Sequence, residues 1–151
     1  MALKVGDKIQ DFTATDSNGQ SFDSKAVIGV KPVVIYFYPK DNTPGCTAQA
    51  CSFRDQYQDF KDLGAEVIGI SSDSEASHEK FSKQYKLPFI LLSDKNKSIR
   101  NQFGVKGDMF GLIPGRVTYV ADKNGIVKMI FDSVLATKHI PKALEAIKRL
   151  V

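Results

Sequence analysis

Val33-Val34-Ile35-Tyr36-Phe37-Tyr38 is an unbroken run of β-branched and aromatic residues with no polar alternation. A strand with one face in water alternates apolar and polar side chains, so this run belongs to a central strand buried on both faces. The sheet that contains it must be covered on both sides. Pro39 closes the run, because it cannot donate to a sheet ladder.

The segments around this strand alternate in type. Asp11 to Phe22 reads as a hairpin, with Phe12 and Ala14 alternating against polar neighbours and Asn18-Gly19 supplying the positive φ angles of its turn. Beyond Lys40 to Gly45, the residues Ala50, Phe53, Tyr57 and Phe60 recur at helical spacing, and Leu63-Gly64 forms the stop of a helix of about four turns. Glu66 to Ser71 is a second strand. Ser72 with Glu75 fits a capping box that opens a helix carrying His78, Phe81 and Tyr85 on one side.

Pro88 separates that helix from a strand at Phe89 to Leu92, and a short helix follows at Ser98 to Phe103. A glycine-punctuated loop, Gly104 to Gly115, is long enough to expect a functional role. Arg116 to Ala121 and Ile126 to Phe131 form a hairpin across Asp122-Lys123-Asn124-Gly125. A last helix holds Pro141 in its first turn and Ile140, Leu144, Ile147 and Val151 on one stripe. Together these predict an α/β fold: a thioredoxin-like α/β/α sandwich with a mixed central sheet and an N-terminal β-hairpin.

Composition narrows the class. At 151 residues, with 42% hydrophobic and 25% charged residues, the chain suits a single domain spanning 1–151. The net charge is only +4 and the lysines are interspersed with Asp and Glu, so no nucleic-acid partner is expected. The longest apolar run is far short of the roughly 20 residues that span a bilayer, and the N-terminus lacks a signal-peptide pattern; a soluble chain is expected, with no membrane partner. Two cysteines are too few to staple a domain of this size, so the pair needs its own explanation.

Pro39-Lys40-Asp41-Asn42-Thr43-Pro44-Gly45-Cys46 places a thiol in the first turn of a helix directly after the buried strand. Unpaired N–H groups and the positive end of the helix dipole favour a thiolate there, and a low cysteine pKa makes a nucleophile at neutral pH. The backbone N–H groups of Gly45 and Cys46 can also hold a substrate oxygen, and a glycine lets that substrate come close. Attack on an O–O bond builds negative charge on the leaving oxygen, for which Thr43 and Arg116 are the candidate donors.

Pro39, Thr43 and Cys46 match the P-x3-T-x2-C motif of peroxiredoxins, and Cys46-Thr47-Ala48-Gln49-Ala50-Cys51 looks like the C-x4-C pair of the Q type. With GAEVIGISSDS, KLPFILLSD and GLIPGRVTYV, nearly the whole chain resembles the bacterioferritin comigratory protein and peroxiredoxin Q group. The resemblance implies a peroxidase acting on hydrogen peroxide and organic hydroperoxides. In it Cys46 is the peroxidatic and Cys51 the resolving cysteine. Thr43 is a hydroxyl partner of the thiolate and the peroxide, Arg116 the polarising guanidinium, and Pro39 the shield of the pocket. It further implies an intramolecular disulfide reduced by thioredoxin or a similar dithiol, no cofactor, a monomer, and either a bacterial cytoplasm or a plastid.

Spacing adds a mechanical expectation. Residues five apart on an α-helix differ by about 7.5 Å along the axis and about 140° in azimuth. A disulfide needs Cβ atoms roughly 3.5 to 4.5 Å apart, so Cys46 and Cys51 bond only if the helix start unwinds.

Each residue also has a plainer reading. The cysteines suit inert buried thiols, Thr43 a turn residue, Pro39 a strand terminator and Arg116 a solvated strand-end charge. His78 and His139 do not complete a zinc site with the cysteines, since no zinc spacing is present; no metal is expected, and both read as helix-surface or helix-start residues. A thioredoxin-like disulfide oxidoreductase lacks its C-x2-C pair here, and a non-enzymatic redox sensor or holdase is separated from a peroxidase by turnover. Peroxide preference is expected to lie at a pocket mouth near Met109, Phe110 and Leu112.

Overall fold

The computed structural model describes residues 3–105, 116–133 and 138–150. Its chain runs β1 (Thr13–Asp16), β2 (Ser21–Asp23), β3 (Val33–Phe37), α1 (Pro44–Asp62), β4 (Glu66–Ser71), α2 (Glu75–Tyr85), β5 (Ile90–Ser93), α3 (Ser98–Phe103), β6 (Val117–Ala121), β7 (Val127–Asp132) and α4 (His139–Leu150). The strands form one sheet in the order β2-β1-β5-β4-β3-β6-β7. β3, β4 and β5 are parallel neighbours, whereas β1, β2, β6 and β7 pair antiparallel, so the sheet is mixed.

β3 is an interior strand between β4 and β6, and every residue of it is buried. Its alternate side chains divide between two cores. Val34 and Tyr36 face a layer built from α1, α2 and α4, in which Phe53, Phe60, Phe81 and Ile147 are packed. Val33, Ile35 and Phe37 face the opposite layer, where α3 and the N-terminal segment contribute Phe103, Ile99, Ile9 and Phe12. Both faces are covered, as the apolar run requires.

The hairpins share one turn design. Asp16 and Asp122 each accept two backbone N–H groups through Oδ1, from Asn18 and Gln20 and from Asn124 and Ile126. Each turn then closes on a glycine with φ of +79°, Gly19 or Gly125. Asn18 is not in the left-handed region, because the aspartate side chain shapes the turn and leaves only the glycine to reverse the chain.

Three local expectations are corrected. The cap of α2 is Ser74, whose side chain accepts from the Ser77 N–H, and not Ser72; Ser71 and Asp73 bond to each other and turn the chain before the helix begins. α1 is longer than four turns, at 19 residues, because Pro44 fits the first helical position and starts it early. β5 begins one residue later than expected, at Ile90. The loop residues 106–115, including Met109, Phe110 and Leu112, and the terminal Val151 lie outside the described residues.

Candidate active site

The C-terminal end of β3 positions the site. The chain leaves β3 at Phe37, passes Tyr38 and half-buried Pro39, and enters α1 at Pro44, with Thr43 as the extended residue before it. Pro44 has no N–H, the Thr43 side chain makes no cap, and the first ladder bond runs from the Thr47 N–H to the Thr43 carbonyl. The N–H groups of Gly45 and Cys46 therefore face outward at the helix start without intrahelical acceptors.

Cys46 sits within this turn, 1% exposed. Residue parity brings it a cation from far along the chain. In the antiparallel pairing of β3 with β6, Phe37 lies opposite Val117, so Arg116 arrives beside Tyr38 at the same end of the sheet. Arg116 shares parity with Thr118 and Val120, and Val120 packs in the α1-side core, so its side chain points toward α1.

There the guanidinium fork is divided. Nη2 donates to Cys46 Sγ at 3.2 Å, and Nη1 donates to Gln49 Oε1. Arg116 is 8% exposed, not a solvated strand-end charge. A guanidinium donor and the positive end of α1 both stabilise negative charge on the sulfur. Gly45 makes room for this: a Cβ there would stand 3.3 Å from Arg116 Nη2.

Gln49 is the site residue that sequence reasoning missed. It is fully buried, and its Nε2 has no hydrogen-bond partner among the described residues. The signal was present in its spacing, since a residue three after Cys46 on a helix shares its face. The structure places Thr43 at the helix cap with its hydroxyl donating to the Lys40 carbonyl at 3.0 Å, turned toward the loop and not bonded to Cys46. Cys51 is half-buried on α1, and both thiols are free.

The histidines correct the expectation of surface positions. His78 on α2 is wholly buried, with Nδ1 on Asp41 Oδ2 at 2.7 Å and Nε2 on the Leu92 carbonyl at 2.9 Å. His139 does begin α4, yet it too is buried: Nε2 donates to the Ser133 carbonyl and Nδ1 faces Thr118 Oγ1, both at 2.7 Å. Burial holds its pKa below the ordinary histidine value. Burial raises the pKa of Tyr36, whose hydroxyl has no partner among the described residues and lies on this side of the sheet.

Comparison with known proteins decides the family. The AhpC/TSA family model matches residues 5–130. The chain belongs to the AhpC/TSA family. Chloroplastic peroxiredoxin Q of Arabidopsis thaliana is 54% identical over 147 residues, covering 97% of this chain and 68% of that protein. Among solved structures, peroxidoxin BcpB from Mycobacterium tuberculosis superposes with a TM-score of 0.91 at 34% identity, covering 99% of each chain. The bacterioferritin comigratory protein of Xanthomonas campestris, described for its alkyl peroxide reduction activity, does so with a TM-score of 0.83 at 31% identity, covering 91% of this chain and 90% of its own.

Within the family the chain is a peroxiredoxin of the Q or bacterioferritin comigratory type, and as such a thiol-dependent peroxidase with a thioredoxin-like fold. A peroxide substrate and a thiol reductant follow from that membership. Among the described residues, no helix is long and apolar enough to cross a membrane.

Proposed function

We propose that Cys46 is the attacking thiol and Cys51 its resolving partner. The observation that carries this reading is the Arg116 guanidinium held 3.2 Å from a buried sulfur at a helix start. The Cys46 thiolate attacks one peroxide oxygen, the O–O bond breaks, and the departing oxygen takes a proton to leave as water or an alcohol. Cys46 is left as a sulfenic acid. The Gly45 and Cys46 N–H groups and Arg116 receive the charge that develops on the departing oxygen. Pro39 screens the sulfur from water, and the Thr43 hydroxyl turns from Lys40 to the bound peroxide.

Cys51 then attacks the sulfenic sulfur, water leaves, and a disulfide forms within one chain. A dithiol such as thioredoxin attacks that disulfide and returns both thiols. The enzyme works as a monomer of one domain, on hydrogen peroxide and on organic hydroperoxides, the latter supported by the activity described for the Xanthomonas campestris protein. Any compartment that supplies a dithiol, a plastid or a bacterial cytoplasm, meets its needs.

Mass spectrometry after one equivalent of peroxide tests the assignment. The wild type is expected to lose two hydrogens as an intramolecular Cys46-Cys51 disulfide, and Cys51→Ser to trap a sulfenic acid on Cys46. Thioredoxin-driven turnover of many equivalents is expected in the wild type and absent in Cys46→Ser. Undiminished turnover in Cys46→Ser overturns the reading.

A further inference from the structure

The loop that leads into α1 is tied down by a buried polar cluster that the peroxidase chemistry does not itself use. Asp41, 5% exposed, lies between Pro39 and Thr43. Its Oδ1 accepts from the Tyr38 hydroxyl at 2.6 Å, and its Oδ2 accepts from Ser77 Oγ at 2.8 Å and from His78 Nδ1 at 2.7 Å. Its backbone N–H donates to Asp73 Oδ2 at 2.7 Å. Both ring nitrogens of His78 meet oxygen atoms, Asp41 Oδ2 and the Leu92 carbonyl.

Asp41, Asp73 and His78 bring potential metal ligands within 4.8 Å of one another. Those atoms already accept or donate hydrogen bonds within the protein, so the cluster is built as a clamp on the chain and not as a cation site.

What the clamp holds is the next residue. Asn42 has φ of +60°, a left-handed conformation that non-glycine residues keep only where their surroundings over-determine it. The turn at Asn42 sets the direction in which Thr43, Pro44, Gly45 and Cys46 leave the sheet. Upstream, Arg100 Nη2 donates to the Tyr38 carbonyl at 3.3 Å, so the segment before the turn is fastened from the opposite layer as well. The fastening ends at Asn42, and the helical turns that must unwind lie wholly beyond it.

We propose that Asp41, gripped by α2 through His78 and Ser77, is a positioning residue for the Cys46 site. It enforces the left-handed turn that aims the start of α1, and it stays in place as the fixed pivot while the helix beyond unwinds. The inference rests on Cys46 being the attacking thiol. It places the hinge of the redox cycle between Asp41 and Pro44, and it makes α2, which carries no reacting group, a support of the active site.

Asp41→Ala removes the three side-chain bonds. The rate constant for Cys46 oxidation by hydrogen peroxide is expected to fall at least tenfold. Asp41→Asn keeps the shape and polar reach of the side chain, its carbonyl accepting from Tyr38 and its amide facing His78 and Ser77, and is expected to stay within about threefold of wild type. A folded Asp41→Ala oxidised at the wild-type rate overturns the proposal, and so does Asp41→Asn as slow as Asp41→Ala.

Should Asp41→Ala not fold, hydrogen exchange on the wild type carries the test. The Asp41 amide is expected to be equally protected in the reduced and disulfide forms, and loss of its protection on oxidation refutes the pivot. Cys46→Ser separates the two claims. Full turnover in that variant sinks the assignment of the thiol, whereas a wild-type rate in Asp41→Ala with Cys46 still essential sinks only the anchor.

Discussion

Oxidation to the disulfide should change amide exchange in α1 within sharp limits. Bringing Cys46 to Cys51 requires residues 46 to 51 to leave the helix, since regular geometry keeps them about 7.5 Å apart along the axis. Each helical N–H bonds to the carbonyl four residues earlier, so the amides from Thr47 to Asp55 lose their acceptors. Those from Tyr57 onward keep theirs, because Phe53 and Phe60 are fully buried and hold the rest of the helix to the sheet. In the reduced protein the same opening takes Cys46 and Ala50 out of the core, at about 1 kcal/mol each. It also breaks the two bonds of Arg116, each worth about 1 kcal/mol net. An opening free energy of about 4 kcal/mol corresponds to roughly a thousandfold protection. Hydrogen exchange followed by NMR on both redox forms should therefore show the amides of residues 47 to 55 exchanging about a thousand times faster when oxidised, with those beyond residue 57 unchanged. Equal protection in the two forms, or loss along the whole helix, would refute the argument.

Arg116→Lys keeps the charge but gives up the fork that serves Gln49 and Cys46 together. Losing one of those two bonds, at about 1 kcal/mol net, should slow peroxide oxidation of Cys46 by roughly fivefold in stopped-flow measurements. At Gly69, a Cβ would stand 2.8 Å from Tyr36 Cζ and 2.9 Å from both Tyr36 Oη and Leu91 Cδ2. Gly69→Ala is accordingly expected to lower stability by about 1 to 3 kcal/mol, read as a reduced urea midpoint. His139 is held below its unfolded pKa by burial, so the unfolded chain binds the proton more readily. The stability this residue contributes is complete above about pH 6.5 and is lost as pH falls through the depressed folded value. Urea midpoints across that range should show a smaller acid loss in His139→Gln than in the wild type.

Much of this architecture was legible from local chemistry. An unbroken apolar run marked β3 as an interior strand buried on both faces, and the two Asp-x-Asn-Gly turns marked both hairpins. The helical stripe from Ala50 to Phe60 placed Cys46 at a helix start, and the motif around Pro39, Thr43 and Cys46 pointed to the family. What local reading could not supply was the partner of a polar side chain. Gln49 looks like any helix-surface amide until Arg116 arrives from a strand 67 residues away. His78 and His139 look solvated until the sheet supplies the Leu92 and Ser133 carbonyls that let them be buried. The cap of α2 moved to Ser74 because Ser71 and Asp73 preferred each other. In each case a long-range or competing hydrogen bond decided the outcome, and no periodicity records such a bond.

The separation of 70 residues between Cys46 and Arg116 has a consequence for biosynthesis. The thiol and its cation lie on opposite sides of the parallel βαβ portion in sequence, and they meet only when an antiparallel strand made late in translation seats against β3. A nascent or truncated chain ending before that strand holds Cys46 without the guanidinium. On the proposed assignment of Cys46 as the attacking thiol, assembly of the last hairpin is then the step expected to arm the enzyme.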